Sequence, residues 1–138
     1  MIAVTAVDHL VLTVASIDRT VAFYRDVLGL RAEQFGAGRW ALHFGDQKFN
    51  LHEAGHEFEP KAAAPAPGAI DVCLVTATPL DQVTSELRAH GVPIVEGPVE
   101  RTGARGPIIS VYVRDPDGNL IELANYADPS FAATREAP

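Results

Sequence analysis

Residues 7–14, Val-Asp-His-Leu-Val-Leu-Thr-Val, form an apolar, β-branched run that predicts a buried strand. Beyond it Ile17, Val21, Tyr24 and Leu28 recur at three- and four-residue spacing, which gives one apolar stripe on a helix. Ser16 caps that helix, Asp18 lies in its positive first turn, and Gly29 stops it as a left-handed terminal residue. Short strands follow over 31–35, 39–44 and 48–53, with Gly45-Asp46 turning the chain into the last of them. Residues 54–69 are rich in proline, alanine and mixed charge, and read as a linker.

The same pattern then starts again at Ile70. Thr78 and Pro79 predict a capped helix start with Asp81 in the first turn; Leu80, Val83 and Leu87 form the stripe, and Gly91 ends it. Strands are predicted over 93–96, 108–114 and 120–125, the last two joined by the turn Asp115-Pro116-Asp117-Gly118-Asn119. Residues 129–138 carry little pattern and read as a loose tail. His9 precedes Gly29 by the same twenty residues that separate Asp71 from Gly91. The order strand-helix-strand-strand-strand is thus written twice. It predicts an α+β protein of paired βαβββ modules, about 5–56 and 70–126, within one domain spanning 1–128.

Composition narrows the partners. At 138 residues the chain can bury one useful core, whereas half of it would be marginal alone. No apolar run reaches the roughly 18 residues of a membrane span, and the N-terminus reads as lacking a secretion signal. A formal charge of -7 argues against nucleic acid as partner, since phosphate binding depends on Lys and Arg. Cys73 is the single cysteine, which excludes an internal disulfide and fits a reducing cytoplasm. A small-molecule substrate is the better expectation.

Strand periodicity then sorts the candidate chemistry. Lys48, Asn50 and His52 share one face of their strand; Glu122 shares a face with Leu120 and Ala124; Ser110, Tyr112 and Arg114 alternate with Ile109, Val111 and Val113. His9 and Asp71 occupy matching points of the two opening strands. His9, His52, Asp71 and Glu122 are therefore the candidate metal ligands. Two imidazoles and carboxylates, with no thiolate, suit Fe(II), Mn(II), Ni(II), Co(II) or Zn(II). His43 reads as structural and His56 as solvated. Cys73 shares the face of Asp71 but has no basic neighbour to activate it, so an inert core thiol is expected. Residues 101–107 read as a flexible basic loop. Arg101 there, with Ser110, Tyr112, Lys48 and Asn50, is a candidate for contacting an anionic substrate. The loop lacks phosphate-loop spacing, which rejects a nucleotide role.

Asp8-His9-Leu10-Val11-Leu12, Phe23-Tyr24-Arg25-Asp26-Val27-Leu28-Gly29-Leu30, Lys48-Phe49-Asn50-Leu51-His52-Glu53 and Asp115-Pro116-Asp117-Gly118-Asn119-Leu120-Ile121-Glu122 resemble the vicinal oxygen chelate superfamily of glyoxalase I, bleomycin-resistance proteins and extradiol dioxygenases. More narrowly they are similar to small bacterial proteins of the glyoxalase domain-containing protein 5 kind. The resemblance implies metal ligands on the first and last strands of each module, at His9, His52, Asp71 and Glu122. Bacterial glyoxalase I would have Glu in place of His52 and His in place of Asp71, so methylglyoxal chemistry is not simply inherited. Asp71 either coordinates or hydrogen-bonds a ligand. The implied activity is a metal-dependent lyase or isomerase with Glu122 or Asp71 as base. The alternatives are an Fe(II) dioxygenase using His9, His52 and Glu122, or a metal-free binder of a drug or metabolite. Relatives commonly pair modules between chains, which implies a homodimer.

Overall fold

The computed structural model describes residues 1–131. The chain divides into two compact units, Met1–Ala66 and a second from Pro67 onward. Each unit is a mixed four-stranded sheet with a helix on one face. Residues 132–138 of the expected tail lie outside the described residues.

In the first unit β1 (His9–Val14) leads into α1 (Ile17–Ala22), which runs on as a π-helical turn over Phe23–Val27. Strands β2 (Arg31–Phe35), β3 (Arg39–Phe44) and β4 (Gln47–Glu53) follow, and the sheet order is β1-β4-β3-β2. β1 lies parallel to β4; the other pairs are antiparallel. Ser16 caps α1 as expected, its hydroxyl accepting from the Arg19 amide at 3.2 Å. The widened turn was not legible from periodicity. The Leu28 amide donates to the Phe23 carbonyl five residues back, at 3.3 Å. Tyr24, fully buried, meets the edges of Phe23 and Phe49 at centroid distances of 5.2 and 6.0 Å and so ties the helix to β4.

The second unit repeats the order as β5 (Asp71–Val75), α2 (Leu80–Ala89), β6 (Glu96–Thr102), β7 (Pro107–Arg114) and β8 (Leu120–Tyr126), with the sheet order β5-β8-β7-β6. β5 and β8 are parallel. Two sequence expectations are corrected. Thr78 does not cap α2; Pro79 holds the cap position without a side-chain bond. Asn125, on β8, takes over: its Oδ1 accepts from the Leu80 amide at 2.8 Å while its Nδ2 donates to the carbonyls of Thr76 and Thr78, both at 2.9 Å. We expect Asn125→Ala to lower the unfolding free energy by about 2–3 kcal/mol in a urea titration, since a helix cap and two further bonds are lost.

The second correction concerns 101–107. Arg101 and Thr102 end β6, and the Gly103 amide donates to the Gly106 carbonyl at 2.8 Å, so this stretch is a hairpin rather than a flexible loop. β6 starts where the strand expected over 93–96 ends, and its sequence, Glu-Gly-Pro-Val-Glu-Arg-Thr, has no apolar alternation to announce it. Pairing with β7 makes it a strand. Past β8, Pro129–Phe131 form a short 3₁₀ turn, and the Phe131 ring packs on Tyr126 at 5.4 Å, so this part of the tail is docked.

Candidate functional site

Register decides which side chains share a face. In the first sheet His9 pairs with Lys48, Val11 with Asn50 and Thr13 with His52, while Ala41 pairs with Asn50 and His43 with Lys48. One face therefore carries His9, His43, Lys48, Asn50 and His52. The opposite face, with Leu12, Leu42, Phe49 and Leu51, is buried beneath α1. In the second sheet Asp71 pairs with Leu120, Cys73 with Glu122 and Tyr112 with Glu122. Asp71, Cys73, Ser110, Tyr112 and Glu122 thus share a face, as alternation predicted.

The two sheets match in strand register. Glu122 lies two residues along β8 from the partner of Asp71; Asn50 lies two residues along β4 from the partner of His9. Asn50 is the positional equivalent of Glu122. His52 is two residues farther on, level with Thr13, and its equivalent in the second sheet is Ala124. At a rise of about 3.3 Å per residue, His9 and His52 are separated by roughly 13 Å along the strands.

The local environments differ accordingly. His9 is exposed, and its Nδ1 meets the Asp8 carboxylate at 2.8 Å. A carboxylate accepts, so Nδ1 is the donor in this contact, and Nε2 is the ring nitrogen left for a metal, the arrangement in which imidazoles bind metals. His52 is buried, with Nε2 3.5 Å from Arg39 Nη2 and its ring against Phe58. Burial first, and the Arg39 charge second, push its pKa below the usual histidine value. A neutral ring is thereby favoured in the fold, so its share of stability is present above about pH 6.5 and fades as the pH falls below it. Asn50 is buried with Oδ1 lacking any hydrogen-bond partner. Lys48 places Nζ 4.1 Å from the Phe35 ring centroid, and His43 faces Glu33 at 3.4 Å. His56 is exposed.

Glu122 is the best-positioned acid of the second unit. Fully buried Ser110 donates its hydroxyl to Oε2 at 2.5 Å, and Asp71 is exposed at the start of β5. A cavity of about 400 Å³ is lined by Cys73, Arg101, Thr102, Ile108, Glu122 and Tyr126 among others. Arg101 is partly engaged: Nε donates to the Tyr112 hydroxyl at 3.1 Å and Nη2 faces Glu96 at 3.4 Å. Cys73 is exposed to this face rather than buried in the core. Its thiol is nonetheless pushed up to about 12, by partial burial first and then by the negative charge of Glu122 and Asp71. The sign is unfavourable for a nucleophile at neutral pH, because the thiolate gains population only as the pH rises toward that value. Iodoacetamide at pH 8 is expected to label Cys73 at least about 1,000-fold more slowly than a free cysteine.

No group of three or more His, Cys, Asp or Glu side chains that could hold a metal ion is found among the described residues. The structure brings together Glu122, Ser110 and Cys73 in one unit, and His52 with Arg39 in the other. Sequence reasoning missed Arg39, which stands on a strand end with no motif around it. It placed Asn50 among the substrate contacts and His52 among the ligands, whereas register puts Asn50 at the position equivalent to Glu122.

Comparison with known proteins accords with this architecture. Virulence protein STM3117 of Salmonella typhimurium is 58% identical over 120 residues, 87% of this chain and 83% of that protein. Its crystal structure superposes with a TM-score of 0.90 at 55% identity, covering 91% of this chain and all of the other. Glyoxalase domain-containing protein RDO1 of Mycosarcoma maydis is 54% identical over 127 residues, 92% of this chain and 72% of that one. Lactoylglutathione lyase from Agrobacterium tumefaciens is 25% identical with a TM-score of 0.69, covering 89% and 95% of the two chains. The model of the Glyoxalase/Bleomycin resistance protein/Dioxygenase superfamily matches residues 6–123, and to that superfamily the chain belongs.

Proposed function

We propose that this protein is a divalent-metal-dependent enzyme acting on a small oxygenated metabolite, as a glyoxalase-like lyase or isomerase. The observation that carries the reading is His9, whose Nδ1 is tied to Asp8 so that Nε2 is the nitrogen left to coordinate. The donors proposed are His9 and Asn50, in place of His52, on the first sheet and Asp71 and Glu122 on the second, each unit taken by itself. Asn50 occupies the register position of Glu122 and holds a buried carbonyl oxygen that nothing satisfies. His52 fits poorly, because a guanidinium already faces its Nε2. One imidazole, two carboxylates and an amide oxygen suit Mn(II), Fe(II), Co(II), Ni(II) or Zn(II).

Such a metal, when bound, supplies Lewis-acid stabilisation of developing oxygen charge. The chain's own groups do the rest. Ser110 holds Glu122 by Oε2 and so aims the carboxylate to take a proton from a C–H beside a carbonyl and to return it. Asp71, with its shorter arm, is the second candidate for that proton. Arg101 with Tyr112 provides cationic and hydrogen-bonding contacts for the substrate, and Lys48 is the candidate cation of the first sheet. The dioxygenase alternative needs a second imidazole at His52, and the Arg39 contact disfavours it. Homodimer formation and a cytoplasmic location remain part of the proposal.

Elemental analysis after expression in metal-supplemented medium tests the reading. About one metal per chain is expected, and His9→Ala is expected to weaken metal affinity by at least about 100-fold. Wild-type protein that binds no divalent metal would leave metabolite sequestration, without catalysis, as the function.

A further inference from the structure

We propose that the polar face of the first sheet binds a small organic carboxylate through the Arg39 guanidinium. Arg39 opens β3, paired across the hairpin with Phe35. Its guanidinium carbon lies 5.0 Å from the Phe35 ring centroid and 4.6 Å from that of Phe58. Nη2 is 3.5 Å from His52 Nε2. The Nε–H is buried and meets no acceptor, and among the described residues Arg39 forms no ion pair.

Ring faces hold a cation, at about 0.5–2 kcal/mol each, but they do not accept from an N–H lying in the guanidinium plane. A buried donor left unmet is unfavourable. A planar carboxylate accepting from Nε and a neighbouring Nη removes that penalty and matches the fork geometry of arginine. Lys48, with Nζ 4.1 Å from the Phe35 ring centroid, adds a second cation at the same ring. The carboxylate that acts on His52 through space, Glu57, is committed to the Gly55 amide at 2.7 Å. Phe35 and Phe58 supply apolar walls, which favours an acid with an aryl or short aliphatic body over inorganic anions. The site uses none of the four proposed metal donors and stands independently of the metal reading.

The test is a titration of the full-length protein with benzoate at constant ionic strength, followed by calorimetry and by the Arg39 Nε–Hε resonance. Saturable binding with a downfield shift of that resonance is expected, and Arg39→Gln is expected to weaken affinity at least about tenfold, whereas Arg105→Gln leaves it unchanged. Equal affinity in Arg39→Gln overturns the site. Should that variant fail to fold, the wild-type resonance decides, and a resonance unmoved at saturating benzoate overturns the proposal. Saturation by inorganic phosphate but not by benzoate overturns the carboxylate assignment. Metal content measured on the same samples separates the two readings: protein without metal that still binds benzoate through Arg39 supports this site while removing the metal.

Discussion

Glu122→Ala is expected to weaken divalent-metal affinity by more than about 100-fold, and Ser110→Ala by about 10- to 100-fold, with both variants folded. The two changes probe one arrangement at different depths. Glu122 sits at the centre of β8, paired with Cys73 on one side and Tyr112 on the other, so strand geometry fixes its Cα. Its carboxylate would still be free to swing. Ser110, wholly buried on β7, restrains it through a 2.5 Å hydrogen bond to Oε2. Removing the hydroxyl leaves the acid present but loosely aimed, which lowers affinity without abolishing it. Removing the acid deletes the donor itself. Elemental analysis and competition with a metal indicator read both, and far-ultraviolet circular dichroism confirms the fold. A Ser110→Ala protein that binds metal as tightly as wild type would mean that this hydrogen bond serves only to bury a carboxylate.

Asp115→Ala is expected to lower the unfolding free energy by about 4 kcal/mol, a large fraction of the 5–15 kcal/mol typical of a small protein. Asp115 is buried, and its carboxylate accepts from the amides of Asp117 and Asn119, both at 2.9 Å, and from Asn119 Nδ2 at 2.7 Å. Hydrogen bonds to a charged acceptor contribute about 1.5–3 kcal/mol each, and their loss strands buried donors. The turn also reaches across the unit: Asn119 Oδ1 accepts from the Ile70 amide at 2.9 Å, one residue before Asp71. Asp115-Pro116-Asp117-Gly118-Asn119 is thus a brace that sets β5 against β8, and with them Asp71 near Glu122. Chemical denaturation gives the magnitude. A loss below about 1 kcal/mol would show that backbone pairing alone maintains the turn.

Gly97 offers a third structural check, since φ is +108° and a Cβ there would lie 2.4 Å from the Ser110 carbonyl oxygen. Gly97→Ala is expected to destabilise by about 2–3 kcal/mol and to disturb the strand that carries Ser110.

The recognition motifs divide by role. The Asp-Pro-Asp-Gly run is structural, as its buried carboxylate makes plain, and the Phe-Tyr…Leu-Gly run encloses the π-helical turn that seats Tyr24. Both hold backbone and core in place. That is why they identify a fold and say little about a reaction.

The amino-acid sequence by itself determined the duplicated βαβββ order, the faces of the central strands and the turn that ends at Asn119. These follow from short-range rules: alternation on strands, helical spacing, and residues suited to tight turns. Tertiary structure decided the rest. Residue spacing put His52 beside Glu122 in the repeat, whereas strand register put Asn50 there, because pairing partners are chosen by the neighbouring strand and not by distance along the chain. It also decided that Asn125 caps α2 from another element, that β6 is a strand despite its composition, and that Arg39 is held between aromatic rings and His52. Each depends on a partner remote in sequence, and local pattern carries no trace of such a partner until the backbone has folded.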